Sequence, residues 1–263
     1  MTEIIATGLS FPEGPRWRDG KLYFSDFYRQ VVHAVDRAGN LEVVATVENQ
    51  PSGLGWLPDG RLLIVSMLDR KVLRLEPDGT LVEHADLSGV AAWHCNDMIV
   101  DSVGRAYVGN FGYDSHGGAE MKPADLARVD PDGTVTTAAN GLAFPNGAVI
   151  TPDGKTMVIG ETRAMLLTAF DIDDDGNLDN RRVWADTDPH FPDGICLDAE
   201  GAIWIADPRG NAVVRFREGG EVAGKIELDR GAFACMLGGD DGKTLYICTA
   251  TGSGPHARTR TEG

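Results

Sequence analysis

FPNGAVITPDGKTMVIG, residues 144–160, sets an apolar run on either side of Pro-Asp-Gly-Lys. Asp-Gly between two apolar runs is a strong hairpin signal, because glycine accepts the positive φ that a tight turn requires. The arrangement recurs as DGKLYFSD (19–26), DGRLLIVS (59–66), VGRAYVGN (103–110), EGAIWIAD (200–207) and DGKTLYIC (241–248). The turn glycines at 20, 60, 104, 154, 201 and 242 are spaced by 40, 44, 50, 47 and 41 residues. A period of about 40–50 residues with several strands per unit marks a propeller blade.

Each turn follows an inner strand: GPRW, GLGW, DMIV, GAVI, GICL and ACML. A third strand reads from 30–36, 71–79, 124–133, 166–176 and 212–220, and an outer one from 41–47, 81–87, 134–140, 181–187 and 222–228. No stretch shows a sustained helical spacing of apolar residues. The expectation is an all-β chain: a six-bladed β-propeller with four-stranded blades around a central channel, one domain over residues 1–263. Closure is the weakest feature. EIIATG (3–8) is expected to supply the outermost strand of the last blade, since an open sheet edge is usually avoided. The tail, 251–263, offers at most the polar HARTRT as a third strand; it is expected to be poorly ordered, or to run on past Gly263.

The chain carries 24 Lys+Arg against 40 Asp+Glu, a net charge of −16. Such a surface repels phosphate backbones and anionic lipid, so neither nucleic acid nor membrane is an expected partner. No apolar run approaches the roughly 20 residues that span a bilayer. MTEIIATGLSFPEGP has neither a basic start nor a sustained apolar stretch, so a cytoplasmic protein, monomeric or weakly homo-oligomeric, is expected. Cys95, Cys196, Cys235 and Cys248 form no CxxC pair and read as reduced, buried thiols.

Aligning the units exposes a set of oxygen ligands. Eight residues before the turn glycine stand Ser52, Asn96, Asn146, Asp193 and Ala234; in the first unit, one residue shorter, PEG matches PSG, PNG and PDG and places Glu13 there. In a propeller these positions face the central channel. Glu13, Asn96, Asn146 and Asp193 together offer two carboxylates and two amide oxygens, a donor set for a hard divalent cation. One such residue alone is ordinary turn chemistry. Four at one register of different blades are not.

These motifs resemble the SMP-30/gluconolactonase/LRE-like, or regucalcin-like, hydrolases, from FPEGPRW (11–17) through CNDMIVD (95–101) and FPNGAVITPDG (144–154) to FPDGICLDAEG (191–201). The resemblance implies one divalent metal in the channel, Ca²⁺ first, with Mg²⁺, Mn²⁺ or Zn²⁺ as alternatives, and hydrolysis of a small lactone or ester. It implies Glu13, Asn146 and Asp193 as metal ligands, Asn96 near metal and substrate, and Asp193 as the base, with Asp97 and Asp114 in reserve. A substrate-holding arginine of the sugar lactonases is replaced by His94, and a second substrate contact falls at Asp114. Alternatives are a phosphotriesterase or esterase on the same fold, and a non-catalytic propeller plugged by its metal.

Other motifs carry less. DIDDDGNLD (171–179) matches half a calcium loop, but Arg182 stands where a bidentate Glu is needed, so a solvated hairpin is expected. No GxSxG, HExxH or nucleotide-binding glycine motif occurs. His190 lies beside FPDG and, like His94, is a candidate to face the pocket. FGYDSHGGAEMKPAD (111–125) is the longest insertion, either a lid over the channel mouth or a rigid crossover.

Overall fold

The computed structural model describes residues 2–254 and Gly263. Five antiparallel four-stranded blades follow one another along the chain. Blade one is β1 (Pro12–Arg18), β2 (Lys21–Asp26), β3 (Val31–Asp36) and β4 (Leu41–Thr46). Blade two is β5 (Pro51–Trp56), β6 (Leu62–Ser66), β7 (Lys71–Leu75) and β8 (Leu81–Asp86). Blade three is β9 (Cys95–Val100), β10 (Ala106–Asn110), β11 (Ala124–Val129) and β12 (Val135–Leu142). Blade four is β13 (Pro145–Ile150), β14 (Thr156–Glu161), β15 (Leu166–Ile172) and β16 (Leu178–Asp186). Blade five is β17 (Ile195–Leu197), β18 (Ile203–Asp207), β19 (Ala212–Phe216) and β20 (Val222–Glu227).

The expected sixth four-stranded blade is not formed among the described residues. β21 (Gly231–Gly238) and β22 (Thr244–Ala250) make a two-stranded sheet. HARTRT, the segment proposed for its third strand, lies outside the described residues. The N-terminal segment also departs from expectation, for residues 3–8 form no strand. Its side chains find a different use: Ile5 and Ala6 pack on a cluster of Leu22, Phe24 and Val35 from blade one and Tyr246 from β22. Apolar packing between the two sheets thus replaces backbone pairing at the edge of one. The inner strands β1, β5, β9, β13, β17 and β21 nevertheless stand side by side around the channel, with β21 against β1.

Two features of the repeat hold this ring. The blades pack face to face through alternate strand residues, as where Val158, Leu167 and Ala169 of blade four meet Ile203, Ile205 and Val214 of blade five. Nearer the axis the inner strands approach so closely that glycine is required. A Cβ on Gly147 would lie 2.5 Å from the Ile195 amide nitrogen, and one on Gly194 would lie 2.5 Å from Ala234 Cβ. The glycine of the Pro-x-Gly triad is therefore a spacing residue.

The hairpin turns form as the Asp-Gly signals require. Asp153 accepts from the Lys155 amide at 3.1 Å, and Asp198 from the Ala202 amide at 3.0 Å. DIDDDGNLD is such a turn: Asp173 accepts from the Asn177 amide at 2.7 Å, while Asp171 pairs with Arg182 at 2.7 Å. All four thiols are free and buried. No helix among the described residues is long and apolar enough to cross a membrane.

Candidate active site

The short inner strands bring residues up to 180 positions apart in sequence to one cavity of 860 Å³. Glu13 is the second residue of β1, Asn96 of β9 and Asn146 of β13; Asp193 lies two residues before β17. All four line the cavity, together with His94 and Asp114. Ser52 and Ala234, the remaining residues at this register, are buried in the wall and do not line it. His190 does not line it either: its Nδ1 sits 2.7 Å from the buried Asp207 carboxylate.

Backbone bonds between neighbouring blades hold the floor. Gly147 donates its amide to the Asp193 carbonyl at 3.1 Å, and Gly194 donates to Phe233 at 2.8 Å. Asn146 Nδ2 donates to Asp193 Oδ1 and, at 3.2 Å, to Thr162 Oγ1, whose hydroxyl donates to the Pro192 carbonyl at 2.7 Å. With its nitrogen so committed, Asn146 presents its carbonyl oxygen as the free end of the amide. Glu13 Oε2 accepts from the Gly14 amide at 3.0 Å.

Two carboxyls buried at one floor oppose each other's ionisation. Burial and then the charge of Asp193 push Glu13 well above the usual carboxylate range, against the Gly14 hydrogen bond. Burial, and to a lesser degree Asp97 and Asp207, push Asp193 up to about 8 against the bond from Asn146. A divalent cation between the two would offset both effects. The donor set fits one: Asn96 is buried and one end of its amide has no hydrogen-bond partner. A buried, unpartnered amide is costly, and which end carries the oxygen is an assignment, so coordination would satisfy it. Among the described residues no cluster of three His, Cys, Asp or Glu side chains offers a competing metal site.

His94 is half-buried and stacked on Trp93 with ring centroids 4.9 Å apart. Burial lowers its pKa, with the Asp114 charge opposing, so its imidazole is neutral at pH 7. Asp114 Oδ1 accepts from the Gly117 amide at 2.7 Å, which ties the start of the 111–125 insertion into a turn; Asp114–Gly117 forms part of the cavity wall.

Of a second register, only His94 was singled out in the sequence. Two residues before the floor positions stand Phe11, Gln50, His94, Phe144 and Phe191, and all five line the cavity. The signal was visible as the Phe-Pro that opens FPEG, FPNG and FPDG. Gln50 and Phe144 occupy this register with φ of +65° and +64°, left-handed conformations that side chains other than glycine rarely adopt. Arg163 and Arg209, also on the cavity wall, had no sequence signal.

Comparison with known proteins adds to this geometry. The model of the SMP-30/Gluconolactonase/LRE-like region matches residues 11–251. A pentonolactonase of Haloferax volcanii is 29% identical over 260 residues, 97% of this chain and 86% of its own length. A 6-deoxy-6-sulfogluconolactonase of Pseudomonas putida is 28% identical over 90% of this chain and 82% of its own. Among solved structures, a gluconolactonase of Xanthomonas campestris superposes with a TM-score of 0.79 at 25% identity, over 94% of this chain and 86% of that one.

Proposed function

We propose, from the premise that the chain belongs to the SMP-30/Gluconolactonase/LRE-like family, that it is a hydrolase that opens a lactone ring to a hydroxy acid. The relatives named as lactonases support the reaction class. The observation that carries it to this chain is the convergence of Glu13, Asn96, Asn146 and Asp193 at the floor of one open cavity. A cavity of 860 Å³ above that floor favours turnover over a channel merely plugged by a metal.

Glu13, Asn146 and Asp193, with Asn96 beside them, are the residues that would hold a divalent cation, calcium first. Bound there, such an ion would act as a Lewis acid on the lactone carbonyl. The chain's own contributions are distinct. Asn146 fixes Asp193 through Oδ1 and leaves Oδ2 to take a proton from the attacking water. The water oxygen then bonds to the carbonyl carbon, the ring C–O bond breaks, and the proton passes to the departing alkoxide. Neutral His94 offers one hydrogen bond to the substrate, and the phenylalanines of the cavity wall give the lactone ring an apolar surface to pack on.

The test is metal analysis of protein purified without chelator, followed by a panel of lactones and esters. Lactone opening that is lost on chelation and restored by a divalent cation is expected. Full activity in rigorously metal-free protein would exclude the metal, and no lactone turnover by the metal-loaded protein would exclude the reaction.

A further inference from the structure

Arg163 and Arg209 hold corresponding places in adjacent blades. Each lies two residues beyond the carboxylate that ends the second strand, Glu161 of β14 and Asp207 of β18. At the matching places of the first three blades stand Tyr28, Leu68 and Gly112. Both arginines are exposed at the cavity, and no other arginine or lysine among the described residues lines it.

Among the described residues their charges are uncompensated. The acids nearest in sequence are committed elsewhere: Glu161 pairs with Arg181 at 2.9 Å, and Asp207 with His190 at 2.7 Å and with the amides of Arg209 and Gly210. Neither arginine forms an ion pair among the described residues, although acids outnumber bases 40 to 24 in this chain. Each guanidinium lies over a ring of the cavity wall instead. Arg163 Cζ is 5.6 Å from the Phe144 centroid, and Arg209 Cζ is 4.3 Å from that of Phe191. A ring beneath one face restrains the guanidinium and leaves its N–H fork available to an anion.

The charges are therefore layered, with the carboxylates of Glu13 and Asp193 at the buried floor and two cations at the exposed rim over blades four and five. We infer that the substrate is a lactone bearing an anionic substituent, a carboxylate, sulfonate or phosphate, which Arg163 and Arg209 hold at the rim while the ring carbonyl reaches the floor. The inference rests on the lactone-opening reaction proposed above and names its substrate class.

The experiment compares kcat/KM for γ-butyrolactone with that for the same ring bearing a carboxylate or a sulfonate at C4, at low and high ionic strength. The acidic lactones are expected to lead by about tenfold or more at low ionic strength, the worth of a charge-assisted contact, and to lose the lead as salt screens it. The carboxylate and sulfonate arms show which anion is preferred. In Arg163→Gln/Arg209→Gln the ratio of acidic to neutral kcat/KM should fall about tenfold. Equal kcat/KM for acidic and neutral rings in the wild type, or an unchanged ratio in the double variant, would overturn the inference. Should that variant not fold, Arg209→Glu gives the same reading, with a ratio below the wild-type value expected. Should no lactone be opened, the hydrolase reading fails, and calorimetric titration with glutarate decides the anion site. Glutarate binding lost in the variant upholds it. No binding to the wild type, or equal binding by both proteins, overturns it.

Discussion

Arg16 of blade one reaches the Asp97 carboxylate of blade three at 2.8 Å, with 11% and 7% of the two side chains exposed. Asp97 stands one residue after Asn96, at the register where four other inner strands carry Gly14, Gly53, Gly147 and Gly194. Its Oδ1 also accepts from the Met98 amide at 2.8 Å, and Arg16 donates further to the carbonyls of Met98 and Pro15. An ion pair beside the acidic floor thus ties two blades that are not neighbours in the ring.

Removing one member of a buried pair leaves the other charge without compensation, at a cost of about 3–5 kcal/mol. Arg16→Met is expected to lose that much in denaturant unfolding. Arg16→Met/Asp97→Gly, which removes both charges, should recover most of it. A loss below about 1 kcal/mol in the single variant would show that the pair behaves as a solvated surface contact.

The spacing role of the triad glycines is tested at Gly147. A Cβ there meets the Ile195 backbone, which cannot swing aside, and the Gly147 amide bonds the Asp193 carbonyl. Gly147→Ala is expected to cost about 1–3 kcal/mol by overpacking and to lower activity by displacing Asn146 from Asp193. An unchanged melting temperature would mean that the inner strands can part freely.

If the four floor residues bind a cation only in the assembled ring, the ion stabilises the fold by linkage. Chelation should then lower the melting temperature as well as activity. Asp193→Ala, which removes a proposed ligand and the proposed base together, should reduce kcat by at least about 10². Near-normal turnover with normal metal content would remove Asp193 from both roles.

The chelated protein carries a pH signature of its own. Asp193 has its pKa raised to about 8 in the folded state, so its folded form holds a proton that the unfolded chain releases near pH 4. The stability this contributes is complete below the unfolded pKa and is lost as pH rises through about 8; Glu13 shifts in the same direction. Chelated wild type should therefore lose melting temperature between pH 6 and pH 8 relative to Asp193→Asn. Parallel curves for the two proteins would show that the carboxyl is ionised throughout.

Much of this was legible because the repeat is local. Inner strand, Asp-Gly turn and second strand lie within about twenty residues; counting back from the turn glycine located Asn96, Asn146 and Asp193, and the matching PEG triad located Glu13, without knowledge of any contact. What joins distant blades was not legible. Arg16 and Asp97 are 81 residues apart, and their pairing depends on which way each side chain leaves its strand. The Phe-Pro register was present in three triads but reads equally as turn chemistry until the ring places it at the cavity wall. The N-terminal segment misled for a physical reason: Ile5 and Ala6 gain burial against two sheets, which backbone pairing to one edge would not supply.

His94 supplies the final test, because the resemblance to sugar lactonases implies a substrate-holding arginine at this position. The surrounding wall is aromatic: His94 stacks on Trp93, and Phe111, itself 6.2 Å from the imidazole, stacks on Phe144 at 4.7 Å. A neutral imidazole in such a wall offers one hydrogen bond, whereas an arginine would offer a bidentate cationic fork to the hydroxyls of a sugar lactone. Between two uncharged substrates, wild type should therefore prefer an aliphatic γ- or δ-lactone to an aldonolactone in kcat/KM. His94→Arg should shift that preference towards the aldonolactone by about 1–2 kcal/mol, the worth of a charge-assisted hydrogen bond. The shift should appear mainly in KM for the sugar, since the floor residues that act on the carbonyl are untouched. A wild type that already prefers the aldonolactone, together with an unchanged ratio in His94→Arg, would show that the aromatic wall and His94 do not set specificity.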